Sequence, residues 1–374
     1  MILESIQLSS LVIPFTQAFK HASAERAMTQ TLWVETRAQD GTTGYGEGCP
    51  REYVTGESLQ SAQEFVATHL QDWLATIVDA AALADWVARH RSEIDMNPSA
   101  WAGVELALLD LIGKTEKKSV EALLGIAELS GSFRYTAVLG DASPRQFEAQ
   151  LAHYLKAGFS SFKIKLSGDH ARNQAKVEAL RAAGIPSRDV RADANNLWGD
   201  ADAALRDLDA LAFPFFALEE PLRTGDYEGM RSLASALDAR IIVDESLLRA
   251  EQLDRLDGPA DRWIVNVRVS KMGGLLRSLA LVQEMRRRGF RAIFGAHVGE
   301  TSLLTRAALT VADNARDLLV AQEGAFGTHL LAADVVEKPI MFGQGGELDA
   351  AALELRSEGF GLAISRPVPH APVS

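Results

Sequence analysis

Cysteine is almost missing from this 374-residue chain: Cys49 stands alone, so no disulfide can close within it. Positive charge is in deficit, with 38 Lys and Arg against 50 Asp and Glu. The resulting −12 disfavours attraction to a nucleic-acid backbone or an anionic membrane surface. No stretch approaches the ~18 uninterrupted apolar residues of a bilayer-spanning helix. The opening MILESIQLSS sets Glu4 where a secretory leader needs basic and then continuously apolar residues. A cytoplasmic location is therefore expected. What is present is ordinary globular composition, 47% hydrophobic and 24% charged, with enough length for about two domains or for a small domain beside an α/β barrel.

The first 130 residues mix strands and helices. LESIQLSSLVIPF and TLWVETRAQDGTTGYGEG, with Asp40-Gly41 as a hairpin signal, predict a three-strand meander. Helical spacing follows over Glu57 to Leu74 and Ala80 to His90, and Asn97-Pro98 opens a capped, largely buried helix. GYGEG lacks the βαβ context of a dinucleotide fingerprint, so its glycines are expected to serve turns.

From Arg134 the texture changes to eight β-rich runs: RYTAVLG, SSFKIKL, DVRADAN, FFALEEP, ARIIVDES, WIVNVRVS, RAIFGAHV and LLVAQEG. Markers at Thr136, Lys163, Asp193, Glu219, Val243, Asn266, Phe294 and Ala321 are separated by 27, 30, 26, 24, 23, 28 and 27 residues. Such spacing predicts βα repeats closing into a parallel barrel, with a doubly wound open sheet as the alternative. The expected division is a capping domain over 1–130, joined by a return of about 335–374, and a barrel over 131–334.

Active sites of such barrels lie at the C-terminal strand ends. Run two ends in Lys163 and Lys165, which share a strand face; run three in Asp193 and Asn195; run four in Glu219-Glu220; run five in Asp244-Glu245; run six in Lys271-Met272-Gly273-Gly274. Taken singly, a KxK is surface charge and a strand-end Asp a cap. Together, Asp193, Glu219 and Asp244 form an all-oxygen set suited to Mg²⁺ or Mn²⁺ and not to zinc. Lysines on either side would take a proton from the carbon beside a substrate carboxylate while cationic groups stabilise the enediolate. Strand parity sets Asn266, Arg268 and Ser270 together and Lys271 on the other face, so the strand must bend or end before Gly273 if Lys271 is to join the site.

The motifs FKIKL, RADANN, ALEEPL, IIVDES, VSKMGGL and EGAFGTHLLAADVV, with GYGEGCPREYVTGE near the N-terminus, resemble the muconate lactonizing enzyme subgroup of the enolase superfamily, over essentially the whole chain. The resemblance implies an N-terminal α+β capping domain on a modified TIM barrel, (β/α)7β. It implies Mg²⁺ held by Asp193, Glu219 and Asp244, an acid/base pair Lys165 and Lys271, and Lys163 beside the substrate carboxylate, with Asn195 and Glu245 in support. Lid loops of the capping domain would run from Phe15 to Met28, containing His21, and from Cys49 to Gly56, containing Tyr53. His297 is expected as pocket lining more than as a base; Glu300 and Glu323, at the mouths of runs seven and eight, are candidate substrate contacts. A homo-oligomer acting on a small carboxylate is implied.

Two lysines on opposite faces fit a racemase or epimerase of an amino acid derivative. One active lysine fits a muconate-type cycloisomerase, and a lyase is the alternative, either an acid dehydratase or an o-succinylbenzoate synthase-like enzyme. Dipeptide epimerases of the family carry Asp-x-Asp at the end of strand eight, where this chain has Gln322-Glu323-Gly324. A non-catalytic relative would have lost a ligand or a lysine, and a phosphate-binding barrel would carry Gly-rich loops after runs seven and eight. Neither holds.

Overall fold

The computed structural model describes residues 1–21, 24–365 and 370–371, and among these the side chains of all but 17–26 and 370–371. Leu3–Leu11, Thr31–Ala38 and Thr43–Gly48 form the antiparallel meander, and a hairpin of Pro14–His21 and Ala24–Met28 is inserted after its first strand. His370–Ala371 pairs with the outer edge of Leu3–Leu11.

The glycines of GYGEG do not serve turns. They lie within the strand Thr43–Gly48, and a Cβ at Gly44, Gly46 or Gly48 would come within 2.2, 1.9 or 2.1 Å of backbone oxygens of helix Pro98–Glu116. Their small size lets that helix lie directly on the sheet, which buries it almost all round. Asn97 does not cap this helix with its side chain. The Glu57 carboxylate accepts from Ser99 N and Ala100 N at 2.9 Å each, so the orphan donors are satisfied from a distant loop.

Eight parallel strands follow in sequential order: Ala137–Leu139, Phe162–Lys165, Val190–Asp193, Ala217–Glu219, Arg240–Val243, Trp263–Val267, Arg291–Phe294 and Leu319–Gln322. A parallel bridge between Tyr135 and Gln322, with Thr136 N donating to Gln322 O at 2.8 Å, joins the last strand to the first. Period-two alternation divides the interior into two levels. Ala217, Ile242, Ile264, Ile293 and Ala321 make an apolar floor. Glu219, Asp244, Asn266 and Glu323, two residues further along four of these strands, make the polar level above it.

Helices Pro144–Lys156, His170–Ala182, Ala201–Leu211, Tyr227–Leu237, Leu275–Arg288 and Ser302–Asn314 connect the strands, with one departure from the expected repeat. Between Val243 and Trp263 only the 3-10 turns Ala250–Arg255 and Ala260–Arg262 occur, because Asp257-Gly258-Pro259 stops the chain before a full helix can form. The capping domain is tied to the barrel by a buried bidentate pair, Arg306 to Glu121 at 2.8 and 2.9 Å.

Candidate active site

Strand ends two to six bring the expected groups into one buried layer. Lys163 Nζ donates to Glu219 Oε2 at 3.0 Å and to Glu323 Oε2 at 2.5 Å. Lys165 Nζ donates to Asp193 Oδ2 at 2.5 Å and to Asn195 Oδ1 at 2.8 Å. Asn195 adopts φ 46°, a left-handed conformation that asparagine tolerates, and its N–H donates to Asp193 Oδ1 at 3.0 Å. The parity problem at Lys271 is resolved by the strand ending at Val267. A turn then swings Lys271 inward, where Nζ donates to Asn266 O at 2.7 Å, Asp244 O at 2.8 Å and Asp244 Oδ1 at 2.9 Å.

The electrostatics are dense and balanced. Burial opposes the charge of Glu219, yet Lys163, Arg268 and Lys165 together hold its carboxyl down at about 2. Burial also works against the Lys163 ammonium, but Glu219, Glu323 and Asp193 keep it protonated well above the ordinary lysine range. Lys271, fully buried and facing the Arg268 guanidinium, is pushed down to about 7. Glu245 rises to about 8 through burial and through repulsion from Glu220 and Asp193.

Among the described residues, no three carboxylate, imidazole or thiol groups are gathered as a cation cage. Each of Asp193, Glu219 and Asp244 is instead turned onto a lysine or arginine. The donor set nonetheless fits a hard divalent cation. It consists of oxygen alone, it lies at the ends of three adjacent strands, and beside it the buried Glu245 Oε2 has no hydrogen-bond partner.

Several residues that act here escape a reading of the sequence. Arg268 reaches Asp244 Oδ2, lies 3.9 Å from Glu219 and 3.2 Å from His297 Nδ1. Its position on the face of Asn266 is the one signal along the chain. Arg191, two residues before Asp193, lies 3.2 Å from Glu323 Oε1. Glu220, in sequence only part of a strand end, accepts from Asp244 N at 2.6 Å, Ser246 N at 2.8 Å and Ser246 Oγ at 2.7 Å, and so fixes the backbone that carries Asp244.

Above this layer lies a cavity of about 110 Å³ lined by Tyr53, Lys163, Lys165, Glu245, Arg268, His297, Glu300 and Glu323, with Phe326, Leu330 and Leu331 as its apolar wall. Tyr53, His297, Glu300 and Glu323 are thus brought together; the side chain of His21 lies outside the described residues. Glu300 accepts from His297 N at 2.7 Å, and burial raises its carboxyl to about 7.

The capping domain grips the loop that carries His297 and Glu300. Glu47 accepts from Thr301 Oγ1 at 2.6 Å and Thr301 N at 3.1 Å, at the start of helix Ser302–Asn314. Burial, with Glu300 and Asp334 nearby, raises its carboxyl to about 8. A carboxyl whose folded pKa lies above its unfolded value binds more protons when folded. Its contribution is therefore full below about pH 4.5 and is lost as pH rises toward 8, by about 1.4 kcal/mol per unit. Denaturant titrations from pH 6 to 8 are expected to show a shallower loss of stability for Glu47→Gln than for the natural chain, by about 1 kcal/mol per pH unit. Equal slopes would mean that Glu47 is ionised throughout.

With this geometry in hand, the comparisons are specific. Residues 146–366 match the enolase C-terminal domain-like family and residues 8–125 the N-terminal domain of the mandelate racemase / muconate lactonizing enzyme family. The chain belongs to this family, within the enolase superfamily. It is 26% identical to a hydrophobic dipeptide epimerase of Enterococcus faecalis over 372 residues, 97% of this chain and 99% of the relative. It is 25% identical to an N-succinyl-L-Arg/Lys racemase of Bacillus cereus, over 82% of this chain and 83% of the relative. The crystal structure of that racemase superposes with a TM-score of 0.82 at 22% identity, covering 99% of this chain and 97% of the other, and so shares the fold. A dipeptide epimerase from Methylococcus capsulatus, crystallised with Mg and the dipeptide L-Arg-D-Lys, superposes at 0.80 with 26% identity, covering 97% of this chain and all of the other.

Proposed function

We propose that the protein is a racemase or epimerase that moves the α-proton of an amino acid derivative whose α-amine is acylated. The observation that carries this reading is the placement of Lys165 on strand two and Lys271 after strand six of eight. These strands are opposite in the ring, with the carboxylates of strands three, four and five between them. A substrate carboxylate at that centre presents its α-carbon to a lysine from each side. One Nζ removes the proton and the other returns one to the opposite face, which inverts the centre.

Asp193, Glu219 and Asp244 would hold Mg²⁺, which when bound supplies positive charge for the enediolate. The chain's own cations act alongside: Lys163 and Arg268 line or border the cavity and face the same negative charge. Tyr53, Phe326, Leu330 and Leu331 keep water from the exposed carbanion.

Acylation of the amine is supported by the fate of Glu323. Its carboxylate is engaged by Lys163 and Arg191, which leaves little negative charge to receive a free ammonium at that position. Glu300, raised to about 7, adds little more. One relative is named for dipeptides and another for N-succinyl amino acids, and both kinds of substrate contain an acylated amine.

The test is mass spectrometry after incubation in D₂O with Mg²⁺ of a panel of N-acyl amino acids, dipeptides, hydroxy acids and muconate. Deuterium at the α-carbon of an N-acyl amino acid, with the skeleton intact and both enantiomers appearing, is expected. Loss of water or formation of a lactone would replace this reading with a lyase or a cycloisomerase.

A further inference from the structure

The turn that carries Lys271 is built against the capping domain. Ser270 Oγ accepts a hydrogen bond from Cys49 N at 2.8 Å. Glu105, buried in the capping helix Pro98–Glu116, accepts from Leu276 N at 3.0 Å through one oxygen and from Trp101 Nε1 at 3.0 Å through the other. Gly273 and Gly274 have φ of +78° and +100°, and a Cβ on them would lie 2.7 Å from Ile94 Cγ2 and 2.4 Å from Glu105 Oε1. Arg277, at the start of the following helix, pairs with Asp95 of the capping domain. The paired glycines therefore meet two demands at once. They give the positive-φ backbone that closes the turn after Lys271 and leads into helix Leu275–Arg288, and they make room for capping-domain side chains pressed against it.

We propose that Glu105 is a positioning residue for Lys271, so that one of the two bases is assembled only when the capping domain is docked on the barrel. The carboxylate ties down the first turn of helix Leu275–Arg288 while Cys49 N ties down Ser270, and Lys271 lies between these two anchors. Lys165, by contrast, sits on a barrel strand among Asp193 and Asn195. Weakening the domain contact should therefore impair proton transfer on one face of the substrate. This functional consequence rests on the two-base reading; the anchoring itself does not.

The experiment compares Glu105→Ala, Glu105→Gln and Lys271→Ala in two ways. Backbone amide exchange over residues 270–276, read by mass spectrometry, needs no substrate. It is expected to quicken by about tenfold or more in Glu105→Ala and much less in Glu105→Gln, which keeps an acceptor for Leu276 N. α-Deuteration in D₂O is then followed separately from N-succinyl-L-arginine and N-succinyl-D-arginine. Glu105→Ala is expected to slow exchange by about tenfold or more for the enantiomer that Lys271→Ala also fails to exchange, and to leave the other within about twofold.

Unchanged amide protection overturns the proposal, as does an equal loss for both enantiomers. If Lys271→Ala shows no preference between enantiomers, or the natural chain exchanges neither probe, it is the proposed reaction or its substrate that fails. The amide measurement then decides the anchoring alone. Should Glu105→Ala not fold, Ser270→Ala removes the other anchor and is judged by the same two readouts.

Discussion

Lys271→Ala is expected to reduce racemisation by about 10³-fold or more, while α-proton exchange from one enantiomer survives within about tenfold. The reason lies in the ring geometry. Removing Lys271 deprives one face of its base, but Lys165 still stands at the end of strand two, able to take and return a proton on its own side. Lys165→Ala is expected to give the mirror-image result. The measurement is paired: optical rotation or chiral chromatography for inversion, and deuterium uptake for each enantiomer. If either single variant racemises at the natural rate, that lysine is not a base and the two-base reading fails. If either abolishes exchange from both enantiomers alike, the lysines act as a unit and not as separate faces.

Glu219→Gln is expected to weaken Mg²⁺ binding by on the order of 10²-fold or more, measured by isothermal calorimetry without any substrate. Glu219 is the middle carboxylate of the three strands and is fully buried, with Lys163 on one oxygen at 3.0 Å and Asn266 Nδ2 on the other at 3.1 Å. Neutralising it subtracts a charged donor from the cation site. It also leaves Lys163 in a buried position with less countercharge, which costs stability on the order of 3 kcal/mol in the absence of metal. Because the two effects have separate readouts, they can be told apart. Mg²⁺ affinity at the natural level in a folded Glu219→Gln would remove Glu219 from the ligand set.

Much of this architecture is legible along the chain. The eight runs at intervals of 23 to 30 residues announce the barrel, since a repeated βα unit imposes its length on the sequence. The polar strand ends announce the site, because period-two alternation forces Lys163 with Lys165 onto one face. The missing helix before Trp263 is hidden by its ordinary spacing, 23 residues between Val243 and Asn266, which is compatible with helix or with two short 3-10 turns. The glycines of GYGEG mislead as turn formers because the surface they accommodate belongs to a helix some 55 residues later.

The sequence by itself determined the fold class, the ring order of the strands and the chemical types at their ends, since these follow from local periodicity and from the handedness of βα connections. Only the tertiary structure decided which cation meets which carboxylate, how Lys271 turns inward past Val267, and that Glu47 and Glu105 reach from the capping domain to the loops of the barrel. Those contacts join residues 47 and 301, and 105 and 276. No local pattern encodes such a pairing. A carboxylate that caps a distant helix looks, along the chain, like any other glutamate, and it acquires its role only when burial removes water as the competing partner.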